Sequence, residues 1–368
     1  MTSCKVHLIA AARPNFMKVA PLMHALKASD WATPVLVHTG QHYDRNMSDA
    51  ILEDLGITRP DFHLGVGSGT HAEQTGGVMM AYEKLCDEHR PDWIVVVGDV
   101  NSTAACAQVG AKLWIPVAHL EAGLRSRDRR MPEEINRLIT DAIADVLWTP
   151  SPDADENLVA EGVPAERIDR VGNIMIDSFE MLRERVEASD ERRKHGLEER
   201  GYALVTLHRP SNVDSLQTLE PIVDALLAAS RTVPVIFVAH PRTLAGLRRF
   251  ELEDRLASAA NVRLLEPLPY IRFMNLVTGA RVVITDSGGL QEETTYLDIP
   301  CITLRENTER PITISEGTNV LARAESLAGH LADAVGGRWK HGRRPELWDG
   351  RTAARTVEAL RKRVDAAG

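Results

Sequence analysis

The stretch RVVITDSGGLQEE, Arg281 to Glu293, turns from apolar to polar in its middle. Val282, Val283 and Ile284 are β-branched and read as a buried strand; the paired glycines Gly288 and Gly289 break it, and the Glu-rich segment behind them opens a helix. Such a break exposes free backbone N–H groups at a helix N-terminus and lets a ligand approach the main chain closely, the geometry that holds phosphate. Taken alone, a paired-glycine turn is weak evidence, because Glu292 and Glu293 favour a helix start without any ligand.

The same strand-then-helix unit recurs along the chain. Strands are predicted at Val6–Ala11, Val35–Thr39, Trp93–Val97, Val117–Glu121 and Val146–Thr149, then at Ala203–Leu207, Val235–Ala239, Val262–Leu265, Val282–Thr285 and Cys301–Leu304. Helices are predicted at 71–88, 102–113, 132–145, 214–229 and 287–297. This alternation implies parallel sheets with helices on both faces. The series pauses at the charged stretch 174–201, so the chain reads as α/β with two doubly wound, Rossmann-like domains facing a central cleft. The expected division is 1–173, then 174–350, with a final helix at 351–368 that would pack back on the first domain.

Composition narrows the classes. The 368 residues are 44% hydrophobic and 26% charged, as in ordinary globular chains. No apolar run is long enough for a transmembrane helix, and the start MTSCKVHLIAAARPNFMK reads as a first strand, not a signal peptide. Cys4, Cys86, Cys106 and Cys301 are scattered without a CxxC pair, which points to buried thiols in a reducing cytoplasm. A net charge of −9 argues against a nucleic-acid partner, with the cluster around Arg125, Arg127, Arg129 and Arg130 too short to reverse that. No metal spacing is found, since His38 and His42 merely straddle a turn. The stretch Gly65–Thr70 approaches GxGxxG without completing it, and a Walker A sequence is absent, so no dinucleotide cofactor is expected.

Ligands of open α/β sheets sit beyond the carboxyl ends of strands. Arg13 and Lys18 follow the first strand at a helix opened by Pro14, ready for an anion or merely solvated. Asp99 follows the third, and neighbouring Asn101 or Ser102 already suffices as a cap. By strand alternation His119 and Glu121 share a face, either pairing internally or presenting Glu121 to a ligand. Glu133 and Arg137 stand four apart on a helix opened by Pro132 and can pair as an exposed salt bridge, but a third carboxylate after Asp99 and Glu121, at a helix start in the same domain, points to chemistry. In the second half His208-Arg209-Pro210 and His240-Pro241-Arg242 follow successive strands and suggest a wall of anion ligands.

Together, AARPNFMK, GDVNST, HLEAGLRS, MPEEINR, HRPSN, TDSGGLQEE and RENTERP resemble, in order and approximate spacing, the non-hydrolysing UDP-N-acetylglucosamine 2-epimerases, from Arg13 to about Gly317. The resemblance implies a GT-B-type fold, interconversion of UDP-GlcNAc and UDP-ManNAc, no cofactor, and a homodimer. It makes Asp99, Glu121 and Glu133 catalytic carboxylates and His208 essential. It places Arg13, Ser287, Gly288, Gly289 and Glu293 on UDP, with Lys18, Arg137, Arg209, His240 and Arg310 also on the substrate, and the segment Pro267 through Phe273, with Tyr270, on the uracil. Asn15, Ser211 and Asp298 depart from the family pattern without removing a catalytic group. Gln41 and His42 resemble part of a UDP-GlcNAc activator site, yet Gly67–Thr70 lacks the arginine of activated members, so weak or absent activation is expected.

The implied chemistry suits these residues. The C2 proton has no neighbouring carbonyl, so its removal needs positive charge built at C1 by departure of UDP, giving 2-acetamidoglucal. Phosphate ligands then stabilise the leaving group, and protonation on either face of C2 calls for separate acid and base groups. Three other readings stay open: a hydrolysing relative releasing ManNAc and UDP, an epimerase on a modified UDP-HexNAc, and a GT-B glycosyltransferase. A non-enzymatic nucleotide-sugar sensor fits the carboxylate cluster poorly.

Overall fold

The computed structural model describes residues 3–40, 52–57 and 59–367. Gln41 and His42 lie outside them. The chain forms two compact units, Met1–Met181 with Glu346–Gly368, and Leu182–Pro345.

The first unit carries a seven-stranded, wholly parallel sheet ordered β3-β2-β1-β4-β5-β6-β7. Its strands are β1 (Cys4–Ala10), β2 (Ala32–His38), β3 (Phe62–His63), β4 (Trp93–Val97), β5 (Val117–Leu120), β6 (Val146–Thr149) and β7 (Ile168–Arg170). Strand β4, WIVVV, is buried at every position, as a strand covered on both faces must be. Ile9, Val37, Ile94, Val96, Val117 and Leu147 from this sheet join one apolar cluster, each contributing about 1.5–3 kcal/mol by leaving water. The closing helix Thr352–Ala367 packs on the helix Arg13–Lys27. Its start is tied down by buried Asp177, whose carboxylate accepts from Thr352 N at 3.0 Å and Ala353 N at 2.7 Å.

The second unit repeats the plan with a six-stranded parallel sheet ordered β10-β9-β8-β11-β12-β13. The strands are β8 (Ala203–Thr206), β9 (Val235–Val238), β10 (Val262–Leu265), β11 (Val282–Thr285), β12 (Cys301–Leu304) and β13 (Asn319–Ala322). Val205, Phe237, Ile284 and Ile302 anchor its core. In each unit the strand order reverses once, between β1 and β4 and between β8 and β11. These are the switch points at which open α/β sheets receive ligands.

All ten predicted strands are present, within a few residues of their expected ends. Among the described residues three further strands, β3, β7 and β13, lie at sheet edges. They are too short or too polar, at Phe-His, Ile-Asp-Arg and Asn-Val-Leu-Ala, to show a pattern of period two. One local expectation is overturned. Strand β5 ends at Leu120, and Glu121 turns away at φ 71, so His119 and Glu121 do not share a strand face. Asp298, where the family pattern has glycine, also takes a left-handed φ of 54, a conformation that Asp tolerates better than most residues.

Candidate active site

At the switch point of the first unit, the β1 and β4 ends are joined by Asn15. Its side chain accepts from Ala12 N at 3.1 Å and donates to Val97 O at 3.1 Å. One turn on, the Lys18 ammonium reaches back and pairs with Glu121 Oε2. Both side chains are buried, and Glu121 Oε1 has no hydrogen-bond partner among the described residues. Asp99, after β4, receives Arg137 Nε at 3.1 Å and Nη2 at 2.9 Å, both on Oδ2, and its Oδ1 has no partner among the described residues. Each carboxylate is thus held by one cation through one oxygen and leaves the other for a ligand.

Behind them lies a buried charged layer. His119 directs Nε2 at Gly98 O (2.8 Å) and Nδ1 at Asp141 Oδ1 (2.6 Å). Asp141 also takes the Gly123 N–H at 3.0 Å and the Arg125 guanidinium at 2.7 Å. Burial would raise the Asp141 pKa, but the charges of His119 and Arg125 with the Gly123 N–H hold it below the carboxylate range. The loop turning from Glu121 needs Gly123, at φ 81, where a Cβ would stand 2.4 Å from Ala154 O.

The helix Pro132–Ile143 buries Glu134, Arg137, Thr140 and Asp141 along one face. Arg137 Nη1 pairs with Glu134 Oε2 at 2.5 Å, and Glu134 also accepts Ser126 N, Ser126 Oγ and Arg127 N at 2.8, 2.9 and 2.9 Å. The Glu133–Arg137 pair that the i,i+4 spacing allowed does not form. Arg137 turns inward to Glu134 and Asp99, and Glu133 is exposed, with no partner among the described residues. Lys18 likewise gives its charge to Glu121, so these two cations are committed to carboxylates inside the protein.

In the second unit, β8 and β11 end side by side. Asp286, fully buried after β11, accepts from His208 N at 3.1 and 3.0 Å, Arg209 N at 2.8 Å and Asn212 Nδ2 at 3.0 Å, and its Oδ1 lies 2.8 Å from His208 Nδ1. Burial opposes its ionisation, yet the His208 bond and the N–H donors keep its pKa below the usual range. Arg209 Nε donates to Asp286 O at 3.0 Å. The His240 ring lies 5.9 Å from that of His208, and its Nδ1 caps the Pro241–Arg249 helix by accepting Arg242 N at 3.2 Å. Burial lowers the His240 pKa, with His208 adding to the effect.

Ser287 stands at the cap of the helix Gly288–Tyr296. A Cβ on Gly288 would lie 2.7 Å from Glu309 Oε1 and 3.0 Å from Arg310 Nη1, whereas Gly289 faces open space. Arg310 itself is buried and pairs with Glu292 Oε1 at 2.9 Å and with Glu309, so its charge supports the glycine turn from behind. Tyr270 Oη donates to Glu293 Oε1 at 2.6 Å, and the half-buried Phe273 lies on the same Tyr270–Thr278 helix. Burial drives the Glu293 pKa up to about 7 despite Tyr270, with Glu292 adding to the rise. Because the folded pKa exceeds the unfolded one, Glu293 contributes stability below about pH 4.5 that is lost as pH rises through about 7. Glu293→Gln is therefore expected to gain in Tm relative to the parent between pH 4.5 and 8, read by thermal denaturation at each pH. A gain that shrinks with rising pH contradicts this.

Sequence reasoning missed Asp286, Glu134 and Asp141. Asp286 was legible as an acid at the strand end beside His208, once β8 and β11 are neighbours. Glu134, Arg137 and Asp141 recur at helical spacing, a charged stripe where an apolar one is expected.

Two Rossmann-like units with parallel sheets define a GT-B-type protein, and the comparisons agree. The family model described as UDP-N-acetylglucosamine 2-epimerase matches residues 24–361. The chain is 41% identical over 324 residues to UDP-N-acetylglucosamine 2-epimerase of Methanocaldococcus jannaschii, covering 86% of this chain and 88% of that one. It is 39% identical, covering 87% and 88%, to the Pseudomonas aeruginosa UDP-2,3-diacetamido-2,3-dideoxy-D-glucuronate 2-epimerase. The crystal structure of the M. jannaschii enzyme in complex with UDP-GlcNAc and UDP superposes with a TM-score of 0.86 at 38% identity, covering 97% of this chain and 99% of that one. The chain belongs to the UDP-N-acetylglucosamine 2-epimerase family. Among the described residues, no helix is long and apolar enough to cross a membrane.

Proposed function

We propose that the protein interconverts UDP-GlcNAc and UDP-ManNAc without net hydrolysis, by departure of UDP to 2-acetamidoglucal and its return. The observation that carries this reading is the pair Asp99 and Glu121, each held by one cation with one oxygen left free. Such carboxylates accept or return a proton in a fixed geometry. In this reading Glu121 and Asp99 act at C2, and Glu133 orients or assists. His208, Arg209, His240 and the helix start at Ser287–Gly289 hold the pyrophosphate, with Arg13 and Arg310 assisting. Glu293 meets the ribose and Tyr270 to Phe273 the uracil. A hydrogen-bond donor such as a ribose hydroxyl favours the ionised carboxylate, so UDP affinity is expected to rise between pH 6 and 8.

The test is incubation with UDP-GlcNAc in D2O, following C2 by NMR. Deuterium at C2 with intact nucleotide sugar is the expected result. Free ManNAc with UDP means a hydrolysing enzyme, and no exchange means a transferase or a binding protein. The similar identities to relatives named for two different sugars favour running UDP-2,3-diacetamido-2,3-dideoxy-glucuronate in parallel. UDP-ManNAc is expected to react without added UDP-GlcNAc. A homodimer is part of the proposal, to be checked by light scattering; the exposed Trp114 and Met80 leave apolar surface on the first unit.

A further inference from the structure

The proposed function gives His208 a role but leaves open which ring nitrogen serves it. The surroundings of Asp286 answer this. Its carboxylate is fully buried and receives two backbone N–H groups and the Asn212 amide, with His208 Nδ1 lying 2.8 Å from Oδ1. An anion so surrounded by donors cannot face a lone pair, so the ring nitrogen 2.8 Å from it must carry hydrogen. His208 Nε2 makes no hydrogen bond among the described residues, and the side chain is 44% exposed. Among the described residues, the other ionisable groups facing the ring are His240 and, behind it, Arg242, which is paired with Asp214 at 2.6 Å. Neither competes for Nδ1.

We infer that Asp286 is a positioning residue that fixes His208 with Nδ1 protonated and so commits Nε2 to the substrate's phosphate. The inference rests on the proposed function for the identity of the ligand, but the ring's protonation pattern stands without it. Asp286 lies directly before Ser287 and Gly288, so the residue that orients the imidazole also begins the turn into the phosphate-holding helix. It couples the two through one buried group, as the outer partners of catalytic and metal-binding histidines do.

The deciding measurement is the ring nitrogen spectrum of His208 in the ligand-free protein, labelled with 15N-histidine, at pH 8.5. A proton on Nδ1 is expected, whether or not Nε2 also carries one; a bare Nδ1 overturns the inference. In Asp286→Asn the amide oxygen still accepts backbone N–H groups, but its NH2 now donates to the ring. The proton is expected to move to Nε2, and turnover to fall about 10²-fold. In a His208→Gln background the same change should cost under about threefold, because both act through one ring. Full turnover in a folded Asp286→Asn, or an undiminished cost in the His208→Gln background, also overturns the inference. If Asp286→Asn does not fold, the wild-type spectrum decides. An Nδ1-protonated ring in a protein that shows no C2 exchange refutes the epimerase reading and leaves the positioning intact.

Discussion

Glu121→Gln is expected to lower deuterium incorporation at C2 by about 10²–10⁴-fold while leaving UDP affinity within about twofold. Glutamine keeps the shape and still offers its oxygen to Lys18, but the position of the free Oε1 becomes an NH2 that cannot take a proton. Asp99→Asn is expected to act in the same direction, and full activity in it would remove Asp99 from the mechanism. Lys18 gives the control. Lys18→Met leaves a buried carboxylate with neither oxygen bonded, at a cost of about 3–5 kcal/mol. The double variant Lys18→Met, Glu121→Gln should recover most of that stability and none of the activity. Urea denaturation and C2 exchange read the two effects separately. A Glu121→Gln protein that exchanges at the parental rate ends the role assigned to Glu121.

The sheets were legible because their strands are buried on both faces and read as apolar runs, Trp93–Val97 being the plainest. The edge strands β3, β7 and β13 were not, since two to four residues with polar members carry no period. The candidate site was legible as strand-end positions, whereas the partnerships among its residues were not. Strand ends pointed to Asp99, Glu121 and His208, because chemistry gathers where parallel strands stop. Which cation meets which anion depends on neighbours far apart in sequence, such as Lys18 with Glu121 and Arg137 with Asp99. Local rules could not supply either partnership: i,i+4 spacing allowed Arg137 to meet Glu133, and an anion-ready helix start left Lys18 to a ligand or to solvent. The opening stretch shows the same limit. Its glycines spoke for phosphate, while the residue before them, Asp286, is explained only by β8 lying beside β11.

The neighbours Glu133 and Glu134 are expected to separate activity from stability. Glu133 is exposed and has no partner among the described residues, so Glu133→Gln should change unfolding free energy by less than about 0.5 kcal/mol. Under the proposed function it should still slow C2 exchange about 10²-fold. Glu134 is the opposite case: it is buried, pairs with Arg137 and accepts three further hydrogen bonds from the Ser126–Arg127 turn. Arg137→Met would leave Glu134 buried without its cation and release Asp99, for a loss of about 3–5 kcal/mol in urea denaturation. Arg137→Lys should recover only part of this, because one ammonium cannot present the guanidinium fork that holds Asp99 through Nε and Nη2 and Glu134 through Nη1. The measurement is paired unfolding and exchange data on the three variants. Unchanged exchange in a stable Glu133→Gln protein would leave the exposed carboxylate outside the chemistry, with Asp99 and Glu121 acting at C2 unaided.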